Sequence, residues 1–176
     1  WSVGFGASNV SLILQVGIVK FVSIEGFTKY SDVIHGGTGI DTIVLSDRQD
    51  AFFLDDMYSN YHDSIVLEDD AEQFPGVARI SSVELIDAGQ GNDVVDLTSE
   101  KYLLDGETIE VRGGAGNDTI WGSGADETIS GGSGDDYLFG GNGSDILIGG
   151  AGKDVFEFSI FDDQDSIADF DHTEGD

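Results

Sequence analysis

Apolar residues recur every nine positions between residues 113 and 157, and the residues between them are mostly polar or glycine. Five consecutive units begin at Gly113, Gly122, Gly131, Gly140 and Gly149. Position 8 is apolar in every unit and reads Ile120, Ile129, Leu138, Leu147 and Phe156. Of the last three positions only this middle one is reliably apolar, as in a very short strand with one side chain facing a core. The pattern predicts a solenoid in which turns and short strands alternate.

Glycines and one acid define the turn of each unit. Position 1 is glycine in all five units, and positions 2 and 4 are glycine in four, the exception being unit 2 with Ser123 and Ala125. Glycine permits positive backbone angles and lets carbonyl oxygens turn inward, as an ion-lining turn requires. Position 6 is always acidic and reads Asp118, Glu127, Asp136, Asp145 and Asp154.

The same pattern returns in two shorter bursts nearer the N-terminus, at residues 36–44 and 88–96. A degenerate unit at 27–35 lacks glycine in its loop but keeps an acid at position 6 and an apolar residue at position 8. Each burst follows a similar lead-in that contains a glutamate, Glu25 or Glu84. We therefore expect one roll that is interrupted by longer excursions.

We expect a single domain in which the largest excursion spans residues 45–79 and a shorter one spans 97–112. Its parts are N-terminal strands and first repeats at 1–44, an insert at 45–87, a second burst and excursion at 88–112, five tandem units at 113–157 and a capping segment at 158–176.

The tandem units resemble the nonapeptide GGxGxDxUx of the RTX (repeats-in-toxin) family, a calcium-binding repeat. The resemblance is strong over residues 113–157 and is best carried by 113–121, which read GGAGNDTIW. It implies an all-β fold, a right-handed parallel β-roll in which two units make one turn. It also implies that calcium lies between the loops of units two apart.

Units two apart are separated by 18 residues, so the resemblance implies two ladders of acids. One edge of the roll carries Asp118, Asp136 and Asp154. The other edge brings Asp145 beside Glu127, or beside its neighbour Asp126, and a further step of 18 reaches Asp163. In unit 2, Glu127 is one methylene longer than Asp, and its loop lacks two glycines, so we expect a distorted or empty site there.

Calcium prefers six or more hard oxygen ligands without nitrogen or sulfur. The resemblance assigns several calcium ions to loop residues of the tandem units, namely Gly113, Ala115, Asp118, Gly122, Gly124, Glu127, Gly131, Gly132, Ser133, Gly134, Asp136, Gly140, Gly141, Gly143, Asp145, Gly149, Gly150, Gly152, Asp154 and Asp163. In the earlier bursts, where counting cannot place the partner loop, it assigns Gly36, Thr38, Asp41, Gly89, Gly91 and Asp93.

Charge and composition exclude several classes of binding partner and of chemistry. The formal net charge of −28 repels phosphate and so excludes nucleic acid and anionic membrane as primary partners. A hydrophobic content of 39% together with ordered repeats argues against disorder. The chain has no cysteine, which excludes disulfides and thiol catalysis. An extracellular domain without disulfides can be stabilised by bound ions instead.

We expect no enzymatic activity. The three histidines are scattered, and neither an HExxH zinc motif nor a GxSxG nucleophile elbow occurs. Carboxylates are too abundant for any one pair to indicate a glycosidase. Tyr58, Tyr61 and His62 in the 45–79 insert leave open a role in binding a carbohydrate or peptide.

The resemblance implies a secreted module that folds on meeting extracellular calcium and supports type I secretion. We expect a monomeric fragment of a larger bacterial surface adhesin, without direct membrane insertion, that is stiffened by calcium and presents a ligand-binding region. The alternative is the C-terminal secretion and folding domain of an exported enzyme, such as a serralysin-like protease or a lipase.

Overall fold

The computed structural model describes residues 10–13, 19–24, 34–54, 80–99, 104, 108–158 and 164–170. In these residues the regular structure is all strand, and no helix is long and apolar enough to cross a membrane. The strands are β1 (Val10–Ile13), β2 (Val19–Ile24), β3 (Ile34–His35), β4 (Ile40–Leu45), β5 (Ala51–Phe53), β6 (Ile80–Ser81), β7 (Leu85–Asp87), β8 (Val94–Asp96), β9 (Glu110–Ala115), β10 (Thr119–Trp121), β11 (Thr128–Ser133), β12 (Tyr137–Phe139), β13 (Ile146–Ala151), β14 (Val155–Glu157) and β15 (Ser166–Ile167).

Two large sheets take alternate strands of the repeat. The eight-stranded sheet has the order β1-β2-β4-β7-β9-β11-β13-β15, and the five-stranded sheet has the order β14-β12-β10-β8-β5. Strands β3 and β6 form a separate parallel pair. Pairing is parallel throughout the two large sheets except between β1 and β2.

The register of the parallel pairs follows the repeat. Thr119 of β10 lies opposite Tyr137 of β12, and Thr128 of β11 lies opposite Ile146 of β13. Each partner is 18 residues away, so two nine-residue units complete one turn. The prediction of an all-β, parallel β-roll is confirmed.

The core is a stripe between the two sheets that is built from position 8. The position-8 side chains of units 1 to 4 are fully buried, as are their counterparts in the earlier strands; the set is Ile43, Ile86, Val95, Val111, Ile120, Ile129, Leu138 and Leu147. Positions 7 and 9 face outward, so Ile146 is 43% exposed and Val155 is 53% exposed. One apolar residue per unit therefore supplies most of the hydrophobic stabilisation of its rung.

The roll continues into both ends of the predicted 45–87 insert. Residues 45–53 form a unit without any glycine, with Asp50 at position 6 and the buried Phe52 at position 8, and β5 pairs with β8. Glu84 and the buried Ile86 occupy positions 6 and 8 of a similar unit, and β7 pairs with β4 and β9. Glycines are missing from both of these units, but the buried apolar position keeps their strands in register with the roll.

Within the shorter excursion, 97–112, the chain rejoins the roll at strand β9. Strand β9 begins at Glu110 and pairs Val111 with Ile86 of β7 and Ile129 of β11. Residues 55–79, which include Tyr58, Tyr61 and His62, lie outside the described residues.

Truncating a position-8 side chain should destabilise the protein far more than truncating the same side chain at position 7. Ile129→Ala leaves a cavity between the sheets and should lower the free energy of unfolding by about 2–5 kcal/mol. Ile146→Ala, on the outer face of the neighbouring strand, should cost less than about 1 kcal/mol. Urea unfolding of both variants in one buffer measures the difference, and equal losses would contradict a core confined to position 8.

Candidate metal centre

One edge of the roll carries an unbroken ladder of aspartates, formed by the loops that precede the five-stranded sheet. We call it the Asp118 edge. The main-chain N–H of each position-6 residue donates to the Oδ1 atom of the next position-6 aspartate along the roll, over N···O distances of 2.7–3.0 Å. The ladder runs Asp50, Asp93, Asp118, Asp136 and Asp154. Its steps span 43, 25, 18 and 18 residues, so the excursions do not interrupt it.

The loops that precede the eight-stranded sheet form the second, interrupted ladder, which we call the Asp145 edge. Asp41 N–H donates to Glu84 Oε2 at 2.7 Å, and Glu127 N–H donates to Asp145 Oδ1 at 2.8 Å. Between Glu84 and Glu127 the ladder position is held by Ile109, which is fully buried and whose carbonyl oxygen accepts from Thr128 N–H at 3.0 Å. A hydrocarbon side chain cannot ligate an ion, so the acidic ladder stops at this rung.

The structure also settles two details of the Asp145 edge. Glu127, and not Asp126, holds the ladder position. Beyond Asp145 the next acceptor is Asp165, whose Oδ1 accepts from Asp145 N–H at 3.1 Å. The step is 20 residues instead of 18, so counting to Asp163 stops two residues short; Asp163 itself lies outside the described residues.

A second set of hydrogen bonds runs in the opposite direction at position 5. Asn117 N–H donates to Asn92 Oδ1 at 2.9 Å, Asp135 N–H to Asn117 Oδ1 at 3.0 Å, and Lys153 N–H to Asp135 Oδ1 at 3.0 Å. On the Asp145 edge, Ser144 N–H donates to Asp126 Oδ1 at 2.9 Å. Successive loops are therefore held from both sides, which fixes the spacing of their carboxylates.

The ladder satisfies only one carboxylate oxygen of Asp93, Asp118 and Asp136. Among the described residues, no hydrogen-bond partner reaches Oδ2 of Asp93, Asp118 or Asp136, or either carboxylate oxygen of Asp41, although all of these atoms are buried. A buried charged oxygen without a partner is costly, and native proteins rarely leave one. Their repetition at a fixed place in successive loops indicates a ligand.

Burial raises the pKa of these carboxyl groups. The pKa of Asp93 is raised to about 7 and that of Asp136 to about 6, chiefly by desolvation, against the lowering effect of the ladder N–H donors. Neighbouring carboxylates raise both further, and burial also raises the pKa of Asp118. A cation between the loops would remove this penalty.

Glycines bring the main chain close to the unpartnered oxygens. A Cβ on Gly131 would lie 2.2 Å from Asp136 Oδ2, and a Cβ on Gly134 would lie 2.0 Å from the carbonyl oxygen of Gly116 in the neighbouring loop. Gly132 and Gly134 have φ of 111° and 127°, which side chains strongly disfavour. The loop thus forms a cradle of carboxylate and carbonyl oxygens that only glycine leaves open.

This oxygen set fits calcium. The described residues contain no group of three or more His, Cys, Asp or Glu side chains that could hold a metal. An ion held here must therefore take much of its coordination from main-chain carbonyls, which suit a hard cation such as calcium better than zinc or copper.

A family model described as the RTX calcium-binding nonapeptide repeat matches the chain four times, at residues 28–47, 110–138, 121–156 and 130–164. The matched segments, 28–47 and 110–164 in union, are therefore similar to RTX calcium-binding repeats. No curated protein and no solved structure gives a significant match to the chain. The description of the matched repeats as calcium-binding agrees with the oxygen set of these loops.

The predicted RTX ligand residues divide between the two edges. The Asp118 edge carries Gly89, Gly91, Asp93, Gly113, Ala115, Asp118, Gly131, Gly132, Ser133, Gly134, Asp136, Gly149, Gly150, Gly152 and Asp154. The Asp145 edge carries Gly36, Thr38, Asp41, Gly122, Gly124, Glu127, Gly140, Gly141, Gly143 and Asp145. The partner loop of Asp93, which counting could not place, is the RTX loop of Asp118 on one side and the loop of Asp50 on the other.

Four acids that belong to the ladders or cover them were not predicted as such from the sequence: Asp50, Glu84, Asp165 and Asp169. Counting nine residues on from Val44 would have found Asp50 at position 6 and Phe52 at position 8. Asp169 accepts from Gly149 N–H at 2.9 Å and from Gly150 N–H at 2.8 Å, and so covers the start of the last unit. No repeat pattern could have indicated Asp169.

In the presence of a calcium chelator, lowering the pH should stabilise the folded protein. The folded-state pKa values of Asp93 and Asp136, about 7 and about 6, lie above the ordinary value of an aspartate, so between about pH 4 and pH 7 the folded state holds protons that the unfolded state has released. Stability in chelator should therefore rise as the pH falls from 8 to 5. Far-UV circular dichroism in chelator at each pH measures the folded fraction, which should increase over this range; a steady decrease would contradict the prediction. With saturating calcium the gain should vanish, because protons and calcium compete for the same oxygens.

Proposed function

We propose that calcium is the folding switch of this chain and that several ions bind along its edges. The observation that carries the proposal is the row of buried, unpartnered oxygens on Asp93, Asp118 and Asp136. At neutral pH and without cations these carboxylates repel one another within a chain of net charge −28. An ion that binds only the folded state stabilises it by roughly 2.7 kcal/mol per site at a hundredfold excess over Kd, so several sites can drive folding.

Folding driven by calcium suits a protein that is exported unfolded. At low cytosolic calcium the chain stays unfolded and can pass the narrow channel of a type I secretion system; outside the bacterium, millimolar calcium folds it. The absence of cysteine supports this assignment, because ions then take the place of disulfides as extracellular staples. The module has no catalytic activity of its own in this proposal.

Within the exported protein, the module serves as a rigid section of a bacterial surface adhesin. The ladder of the Asp118 edge keeps its hydrogen bonds across steps of 43 and 25 residues, which supports a role in carrying and presenting inserted segments. A segment in the 45–79 region could then contact a surface glycan or peptide. If the upstream sequence encodes a protease or lipase domain, the module is instead the folding domain of that enzyme.

A calcium titration of the purified chain tests the switch. Far-UV circular dichroism in chelator should show a largely unfolded chain at neutral pH, and calcium up to millimolar should produce a cooperative transition to β-structure that magnesium at the same concentrations does not produce. A chain that is already β-structured in chelator would show that the hydrophobic stripe suffices for folding and that calcium is not the switch.

Neutralising one buried ladder acid should shift that titration, and neutralising its exposed neighbour should not. Asp136→Asn removes a carboxylate that two successive loops share, so the calcium midpoint should rise severalfold and the transition should become less cooperative. Asp135→Asn removes the same charge one residue away but keeps an oxygen for Lys153 N–H, so it is the matched control. Equal shifts in the two variants would point to net charge alone.

A further inference from the structure

Two loops close on themselves through a serine at position 2. In the unit at 45–53, Ser46 N–H and Ser46 Oγ–H both donate to Asp50 Oδ2 at 2.7 Å. In unit 2, Ser123 N–H donates to Glu127 Oε2 at 3.0 Å, and Ser123 Oγ–H donates to Glu127 Oε1. In both loops the acid at position 6 is therefore bound by the backbone and the side chain of the residue four positions earlier. We call this arrangement the serine clamp.

The glycine-type loops of units 1 and 3 lack this closure. In unit 3 position 2 is Gly132, which has no side chain, and Asp136 Oδ2 has no hydrogen-bond partner among the described residues. In unit 2, by contrast, both carboxylate oxygens of Glu127 accept from Ser123. The extra methylene of Glu127, which at first suggests a poor fit to calcium, lets the carboxylate span both donors of the clamp.

The backbone of the two clamped loops also departs from the ion-lining form. In the described part of the chain, Ser82 is the one non-glycine residue with a positive φ, so neither clamp serine adopts the conformation of Gly132 at the same position. Position 4 is Arg48 in one clamped loop and Ala125 in the other, and neither has the positive φ of Gly134. The positive-φ turns of the glycine-type loops are thus missing at positions 2 and 4 of both clamped loops.

We propose that a serine at position 2 takes the place of the ion, so that the loops at 45–50 and 122–127 are calcium-free rungs in the folded roll. The inference rests on the proposed calcium-dependent folding and specifies which loops take no ion. Each clamp supplies two hydrogen-bond donors to oxygens of the position-6 carboxylate that an ion would otherwise contact. The two edges are consequently unequal. On the Asp145 edge, the row of loops that can bind an ion is interrupted at Ile109 and again at Glu127. On the Asp118 edge, every loop from Asp93 onward can bind an ion.

Counting bound calcium in charge-neutralised variants tests the proposal on the full chain. Glu127→Gln and Asp50→Asn should each leave the number of calcium ions per chain, measured by equilibrium dialysis and isothermal titration calorimetry, equal to that of wild type. Asp136→Asn should lower that number by at least one. The three substitutions remove one charge each from a buried position-6 acid, so Asp136→Asn is the matched positive control.

Rebuilding the loop should create a site. The triple variant S123G/A125G/E127D gives unit 2 the glycines and the aspartate that unit 4 has at Gly141, Gly143 and Asp145. It should bind one more calcium ion per chain than wild type. Ser123→Ala removes the clamp hydroxyl but restores neither glycine, so it should bind no additional ion and should need more calcium to fold.

The outcomes separate this inference from the proposed function. Loss of a calcium ion in Glu127→Gln or Asp50→Asn would overturn the inference while leaving calcium-driven folding intact. A folded triple variant with the wild-type count would do the same. If the triple variant does not fold, the counts for Glu127→Gln and Asp50→Asn still decide. A wild-type chain that binds no calcium would instead overturn the proposed function, and the inference with it.

Discussion

A single hydrogen bond, from the main-chain N–H of one position-6 residue to the carboxylate of the next along the roll, organises both the fold and the metal centre. It joins the loops that precede each sheet, and it places every acid at the mouth of the neighbouring turn. Because the bond uses only one oxygen, the other oxygen of Asp93, Asp118 and Asp136 stays buried without a partner. The contact that aligns the strands therefore also creates the demand for a cation.

Two opposing effects meet at these carboxylates. Burial of the position-8 side chains draws the turns together, whereas desolvation and mutual repulsion of the acids oppose the same approach. A small solenoid core with one apolar residue per unit supplies little hydrophobic free energy to offset that repulsion. Stability thus depends on what offsets the charge of each acid: a proton or an ion neutralises it, and at Asp50 and Glu127 a serine donates hydrogen bonds to it.

The repeat period was enough to predict the β-roll, the buried position 8 and the acidic ladder of the tandem units. It was not enough where the period breaks. Asp50 and Glu84 stand in loops without glycine, so a search guided by glycine passed over them, although the apolar residue two positions later marked both rungs. Counting residues could not place Ile109 and Asp165 in the ladder. The number of residues between two ladder positions includes the length of any inserted segment, and the repeat period does not give that length. The serine clamp depends on side-chain geometry, which spacing does not contain.

The variable step of the ladder has an evolutionary consequence. Steps of 18, 20, 25 and 43 residues end on the same kind of hydrogen bond, so an insertion between two units changes the length of the chain without changing the contact that registers the roll. Inserted segments are therefore nearly neutral for the scaffold as long as an acid and, two residues later, an apolar side chain survive on the far side. Such a scaffold can acquire, lose or exchange its insertions while the roll itself is conserved.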